Sequence, residues 1–540
     1  MNRTTFRKKK KKKNKHTTAL APPPEFARGQ TGLSAALAWR TRVPGGSAEI
    51  GAVDGVHARL FVTGATAVEV LDLTDGRPLA EIPYPAGYSA TSVACFGGVA
   101  AFALAADDRS AAGTIEFYDG QSLERLASFP AGFNPDMVVF AASGRRLVCA
   151  DEGEPTDDYA VDPEGSVTVI DLPTDASADD WARGVVRRMG FEQFNDQRDQ
   201  LRRRGVRIFG PSHVHADGQA TVAEDLEPEF IALNRDGTRA WATLQENNAI
   251  AEIDLDAGRV TAIHPLGLKS FAAPTDKESS GLFGLDASDL DGGLRIRPLP
   301  VAGMNQPDPI AVVETADATY LITANEGDPR RYGGFDERCT VDELPGRGVA
   351  LDPRLTKRLA SVETGGLDRL VVSIAAGDED GDCDLDQLCC FGGRSLAVWR
   401  VEPEGALRQV FDSGCDFERI LGAETPERYR PDGSGERLDL RSPHSGPEPE
   451  GLVLAAVGRR RFACVGLERA GGVMIYEATD PERPTFSQYL PPQGNGEEGY
   501  DVAPEGLAFI DAANSPCGAP LLLVCNEVSG TVTAYRLAVE

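Results

Sequence analysis

Five times along this chain a proline–acid step opens a short apolar run, and a second acid closes the run that follows. The pairs are Asp136 after Pro135 with Glu152, Glu229 after Pro228 with Glu246, and Asp308 after Pro307 with Glu326. Glu450 after Pro449 with Glu468, and Glu505 after Pro504 with Glu527, complete the series. The partners stand 16 to 22 residues apart, enough for two strands and a turn. In an antiparallel hairpin the second strand returns beside the first, so such a unit brings both acids to one end.

The rest of each unit is strand-rich. In residues 227–255 a run EFIAL meets the turn Asn234-Arg235-Asp236-Gly237, then AWATL, an acidic loop and AIAEIDL. Residues 134–172 and 504–537 read alike, and weaker copies occupy 48–73 and 91–120. With the units that start at Pro307 and Pro449 the count is seven. Strand-rich units repeated around a closed ring predict an all-β, seven-bladed β-propeller, which leaves few open strand edges. Residues 45–540 are assigned to it, after a basic and Pro-rich leader over 1–44. Helical and acidic-loop insertions are expected at about 173–226, 265–305, 329–393 and 421–447. The first is predicted to hold a helix through DDWARGVVRRMGFEQFNDQRDQLRRR, the second to be irregular, and the fourth to be a polar surface loop. In a propeller the first strand of each blade lines the axis, so the ten acids are expected at one mouth.

Gathered carboxylates repel by several kcal/mol unless protonated, paired or metal-bound. Oxygen-only ligand sets favour Ca²⁺ over zinc, with Mg²⁺, Mn²⁺ or Fe as other divalent choices. All ten acids are therefore candidate metal ligands. A second candidate is the loop GDEDGDCDLDQL, with Asp378, Asp380, Asp382, Asp384 and Asp386 at alternate positions. It is not an EF-hand, because the required glycine and terminal glutamate positions hold Cys383 and Cys389. A weaker candidate is GLDASDLDGG, with Asp286, Asp289 and Asp291. Arg330, Arg331, Arg394 and Arg469 lie near the motifs and can neutralise part of the charge.

The net charge is −28, and the first sixteen residues hold nine Lys or Arg and no acid, which leaves −37 on the rest. Such a body repels nucleic acid and anionic membranes and attracts cations. No apolar run is long enough for a membrane span, and the leader lacks the apolar segment of a secretion signal. Read literally, that predicts a cytoplasmic chain. Of ten cysteines, Cys95, Cys149, Cys464 and Cys525 read as small core residues. Cys339, Cys383, Cys389, Cys390 and Cys415 cluster in one region where disulfides are open. His213 and His215 are expected to belong to a loop.

The ordered segments ADEGEPTDDY, DPEGSVTVIDL, GVRIFGP, LEPEFIAL, QPDPIAV, TANEGDPR, FGGRSLAVW, GPEPEGL, GLERAGGVMIYEATDP and CNEVSGTVTAY resemble the choice-of-anchor I family and the related mesenchyme-specific cell-surface glycoproteins. The resemblance spans roughly residues 45–537. It implies an exported propeller tethered at a cell surface; animal relatives are associated with calcified skeletons, and some bacterial relatives carry an alkaline phosphatase label. Family members usually follow the acidic loop with Asp-Glu-Leu, where this chain has Asp386-Gln387-Leu388. Two functions compete on these residues. One is a calcium-binding surface module whose partner is a protein or a mineral surface. The other is a metal-dependent phosphoric monoester hydrolase at the acidic mouth, with Arg330, Arg394 or Arg469 contacting phosphate. A monomer is expected in either case.

Overall fold

A computed structural model describes residues 32–173, 181–272, 283–360, 366–425, 438–495 and 499–540. Seven four-stranded antiparallel sheets form in sequence order. Blade one spans residues 51–83, blade two 88–133, blade three 135–190 and blade four 228–265. Blade five combines Ile310–Glu314 and Thr319–Asn325 with Ser395–Val401 and Leu407–Asp412. Blade six spans 449–490, and blade seven starts at Pro504. Each innermost strand packs against the next, and that of blade seven packs against that of blade one, so the ring is closed. The seven-bladed propeller is the observed fold.

The middle strands are apolar without alternation because both of their faces are covered by neighbouring blades. Leu521–Asn526 and Arg460–Leu467 are examples, the first buried at every residue. The core is accordingly a set of wedges between blades. Val148 and Val167 of blade three pack with Ala242 and Ala251 of blade four, and Ile322 and Val398 of blade five with Ala463 and Met474 of blade six.

Closure uses a strand that the sequence reading placed in the leader. Leu33–Arg42 pairs antiparallel with Thr531–Val539 and becomes the outer strand of blade seven. The reading missed it because its partner lies some 500 residues away and its own outer face is exposed. Trp39 anchors it: the indole Nε1 donates to the Leu73 carbonyl at 3.2 Å. Gly76, at φ +75°, lies flat under the ring, where a Cβ would come within 2.5 Å of the indole.

Three insertion expectations change. Val185–Gly190, inside the predicted helix, is the outer strand of blade three, paired with Ser166–Asp171. The adjacent β-branched Val185 and Val186 suit that edge, and among the described residues of that stretch only Arg198–Arg204 is α-helical, ended by Gly205 at φ +97°. The segments 265–305 and 329–393 are not independent. Leu268–Ser270, Val301–Met304, Leu388–Cys390, Val371–Ser373 and Arg338–Thr340 form one five-stranded mixed sheet over a core of Phe271, Leu299, Leu344, Leu370 and Leu388. Segment 421–447 is no plain surface loop: Asp416–Glu424 is a helix, and Ser442 and Ser445 are buried. Its residues 426–437 lie outside the described residues. None of the ten cysteines is joined in a disulfide. No helix among the described residues is long and apolar enough to cross a membrane.

Because Trp39 fastens the closing strand, Trp39→Ala is expected to lower unfolding free energy by about 3–5 kcal/mol. Urea denaturation followed by far-UV circular dichroism measures it.

Candidate metal centre

The acids are aimed by a repeated backbone device. Asn134, Gln306, Glu448 and Ala503, each directly before the entry proline, have φ of 45°, 43°, 51° and 59°. Such left-handed, non-glycine residues cost roughly 1–3 kcal/mol each and persist only when surroundings enforce them. The enforcement is a hydrogen bond across the hairpin. The N–H groups of Glu152, Glu468 and Glu527 donate to the carbonyls of Asn134, Glu448 and Ala503 at 2.9, 2.8 and 2.8 Å. In blade five the Gly327 N–H donates to Gln306 at 3.1 Å. The ladder then slips between Pro135 and Met137, Pro228 and Ile231, Pro449 and Leu452, and Pro504 and Leu507. Each slip is a β-bulge at the acid, and bulges re-aim side chains. Asp136, Glu450 and Glu505 thereby line an axial cavity of about 160 Å³, with Asp308 from blade five.

Glu49 of blade one lines the same cavity. The sequence reading missed it because no proline precedes it. Its signal was the acid two residues before Gly51, at the entry of the first blade's inner strand. Burial pushes its carboxyl up to about 8, helped by Asp136 and Glu527. Glu527 also adds to the upward push on Glu505.

Around the mouth the acids condense. Ligand oxygens of Asp308, Glu326 and Glu450 lie within 4.8 Å of one another, as do those of Glu326, Glu448 and Glu468. Glu448 also escaped the sequence reading, since it precedes the proline rather than following it. Full charges at such separations repel by about 3 kcal/mol per pair at an effective dielectric near 20. Burial first, and neighbouring carboxylates second, push Asp308, Glu326 and Glu450 well above the carboxylate range. Burial also raises Asp136 to about 7, and Glu468 to about 7 although Arg469 opposes it. On the blade three and four side, Glu152, Glu229 and Glu246 line a separate cavity of about 380 Å³. Burial raises all three, and Arg330 opposes the rise at Glu246.

The arginines are largely committed. Arg330 is 2% exposed; it pairs with Asp225 and, at 3.0 Å, with Glu227, and lies over the Phe209 ring. Arg394 is equally buried. It donates to Glu418 at 2.7 Å and to the carbonyls of Asp286, Ser442 and His444. Neither guanidinium faces solvent, which removes the geometric basis for expecting them at phosphate. Arg469 is half-exposed and bonds Glu448 at 3.0 Å and Glu468 at 2.8 Å. Arg331 is exposed and lines the 380 Å³ cavity.

The acidic loop splits into two groups that share Asp386. Asp378, Asp380 and Asp386 form one, and Asp384 and Asp386 join Asp352 in the other; Asp382 is in neither. In GLDASDLDGG, Asp286 and Asp291 meet Asp439, whereas Asp289 pairs with Arg369 at 3.2 Å. His215 pairs with Glu224 at 2.8 Å, and His213 packs edge-on against Tyr159. No candidate metal group among the described residues includes a histidine.

Seven blades with a carboxylate-lined mouth define a class: a propeller whose site is built from oxygen ligands and suits hard cations. The chain belongs to the choice-of-anchor I family, whose domain profile matches residues 49–481. Gigasin-3a of Magallana gigas is 27% identical over 189 residues, 32% of this chain and 66% of that protein. The mesenchyme-specific cell surface glycoprotein of Strongylocentrotus purpuratus is 26% identical over 389 residues, 65% of this chain and 46% of that protein. The match thus spans just under two thirds of the first relative and about half of the second. Among solved structures, Kuenenia stuttgartiensis hydrazine synthase aligns with TM-score 0.46 and 12% identity over 93% of this chain and 98% of its own. The Myceliophteria thermophila Cps50 (Swd1) β-propeller domain aligns with TM-score 0.44 and 9% identity over 93% and 99%.

Two predictions come from this geometry. Raised carboxyls mean that the folded, metal-free protein binds more protons than the unfolded chain between about pH 4 and 8. Stability must therefore fall as pH rises through that window. In chelator the melting temperature is expected to drop by a few degrees or more from pH 5 to 8, and excess Ca²⁺ to flatten the slope; calorimetry at stepped pH reads both. Arg394→Ala strands the buried Glu418 and is expected to cost about 3–5 kcal/mol of stability. Urea denaturation beside wild type checks it.

Proposed function

We propose that this protein is a surface-associated propeller that binds divalent cations, Ca²⁺ foremost, through its carboxylate mouth. The observation that carries the reading is the pair of carboxylate triads joined at Glu326. Six to eight oxygens suit Ca²⁺, and its charge replaces protons that these acids otherwise retain. The acidic loop at Asp378 to Asp386 with Asp352 is a further Ca²⁺ candidate. The family, and the cell-surface relative in the sea urchin, support an extracellular or cell-surface location. Cation-loaded, the rigid mouth would present a docking face to a protein or mineral surface.

One observation favours a hydrolytic reading: exposed Arg331 stands at the cavity that holds Glu152, Glu229 and Glu246. An arginine beside metal-bound carboxylates can steady a phosphate ester while a metal activates water.

Calorimetric titration of chelator-stripped protein with Ca²⁺ tests the first reading, with Glu326→Gln alongside. The expected result is binding weakened at least tenfold by the substitution and accompanied by proton release. Equal affinity in both proteins would overturn it. Phosphate-ester turnover with Ca²⁺, Mg²⁺, Mn²⁺ or Fe, abolished by Glu229→Gln/Glu246→Gln, would instead assign the mouth to hydrolysis.

A further inference from the structure

Glu229 and Glu246 are 8% and 5% exposed, and Oε2 of each is buried with no donor group from another residue to pair it among the described residues, the two carboxyls sharing a side-chain hydrogen bond only with each other. A buried carboxylate oxygen left unpaired costs on the order of 1–3 kcal/mol, more when ionised. Both side chains, with Glu152, line the 380 Å³ cavity, whose lining includes no member of the Glu326 triads. Gln245 stands between the two regions, donating from Nε2 to Oε2 of Glu326 at 2.9 Å while the adjacent Glu246 lines the cavity.

The cavity is bordered by a hairpin from the blade five insertion, in which Arg331-Tyr332 pairs with Phe335-Asp336. Tyr332 lines the cavity, and its hydroxyl donates to Glu154 at 3.3 Å. Its ring meets Tyr159 edge-on at 5.3 Å, and the Gly334 N–H donates to the Asp157 carbonyl at 3.1 Å. The hairpin of blade five is thus pinned to the loop of blade three beside the acids. The space has room for water beside an ion, so a cation there keeps part of its hydration shell.

We infer that the mouth contains two separate cation sites, and that the second is formed by Glu152, Glu229 and Glu246 beside the Arg331–Asp336 hairpin, independent of Glu326. Its ligand is a hard divalent cation of the Ca²⁺ type, held by carboxylates and water. The inference rests on the cation-binding reading and deepens it.

Terbium, a hard-cation mimic that emits when a nearby tyrosine is excited, distinguishes the sites, because Tyr332 lines the second. Full-length protein is titrated with Tb³⁺ for tyrosine-sensitised emission and with Ca²⁺ by calorimetry. The set is wild type, Glu229→Gln/Glu246→Gln, Glu326→Gln and Tyr332→Phe, each checked for folding by circular dichroism. The expected result is two Ca²⁺ classes. The double variant loses one, at least a hundredfold in affinity, together with the emission; Glu326→Gln weakens the other and keeps the emission. Tyr332→Phe dims the emission while both classes remain. If the double variant binds and emits like wild type and only Glu326→Gln weakens binding, the second site is refuted and the general reading stands. If wild type binds no cation, both fall.

Discussion

Ring closure forces like charges together, and much of the structure around the mouth answers that repulsion. Seven inner strands converge on one axis, and the entry position of six of them carries an acid: Glu49, Asp136, Glu229, Asp308, Glu450 and Glu505. Blade two alone offers Thr91. Side chains drawn from far-apart stretches of sequence cannot relax away from one another once the ring shuts. In blades three, six and seven a hairpin clip helps hold them there, because the N–H of the second acid bonds the carbonyl of the strained residue before the proline, and in blade five the Gly327 N–H does the same. A strained φ, a bulge and a cross-hairpin bond recur at the acids, and strain that clusters at one locus marks a site maintained against its own energetic cost.

The insertions stiffen that arrangement. Arg330, from the blade five loop, is buried against Asp225 and Glu227, which lie just ahead of blade four. Arg394, at the entry to the third strand of blade five, gathers the carbonyls of Asp286, Ser442 and His444 from two insertions. Each guanidinium fastens loops whose own secondary structure is sparse. Buried ion pairs contribute little net stability over apolar packing, yet breaking one is expensive. They therefore specify where the loops sit, and the loops in turn form the rim around the acids.

Much of this was legible in the chain because the acid pairs sit at hairpin spacing and the prolines mark strand entries. The reading failed where the cue was missing or the context was remote. Glu49 has no proline before it, and Glu448 is on the wrong side of one. Leu33–Arg42 pairs with the far end of the sequence, so no local pattern could reveal it. Val185–Gly190 lies in a charged stretch that suits a helix by composition, and sheet pairing overrode that propensity. Arg330 and Arg394 are near the motifs in sequence, but burial and partners are tertiary facts.

The two halves of the mouth differ in how their charge is balanced. Glu448 and Glu468 share Arg469, and Arg441 also bonds Glu448, so protein cations offset part of that cluster. Glu229 and Glu246 have no guanidinium at ion-pair distance among the described residues, and Arg330 acts on Glu246 only through space. A cation entering the first half competes with arginine for the same oxygens. One entering the second meets buried carboxylates that are already desolvated, so the cost of dehydrating those ligands was met on folding. Arg331 and Arg338 line the same cavity, so positive charge is present on this side as well, outside ion-pair distance of these two acids among the described residues.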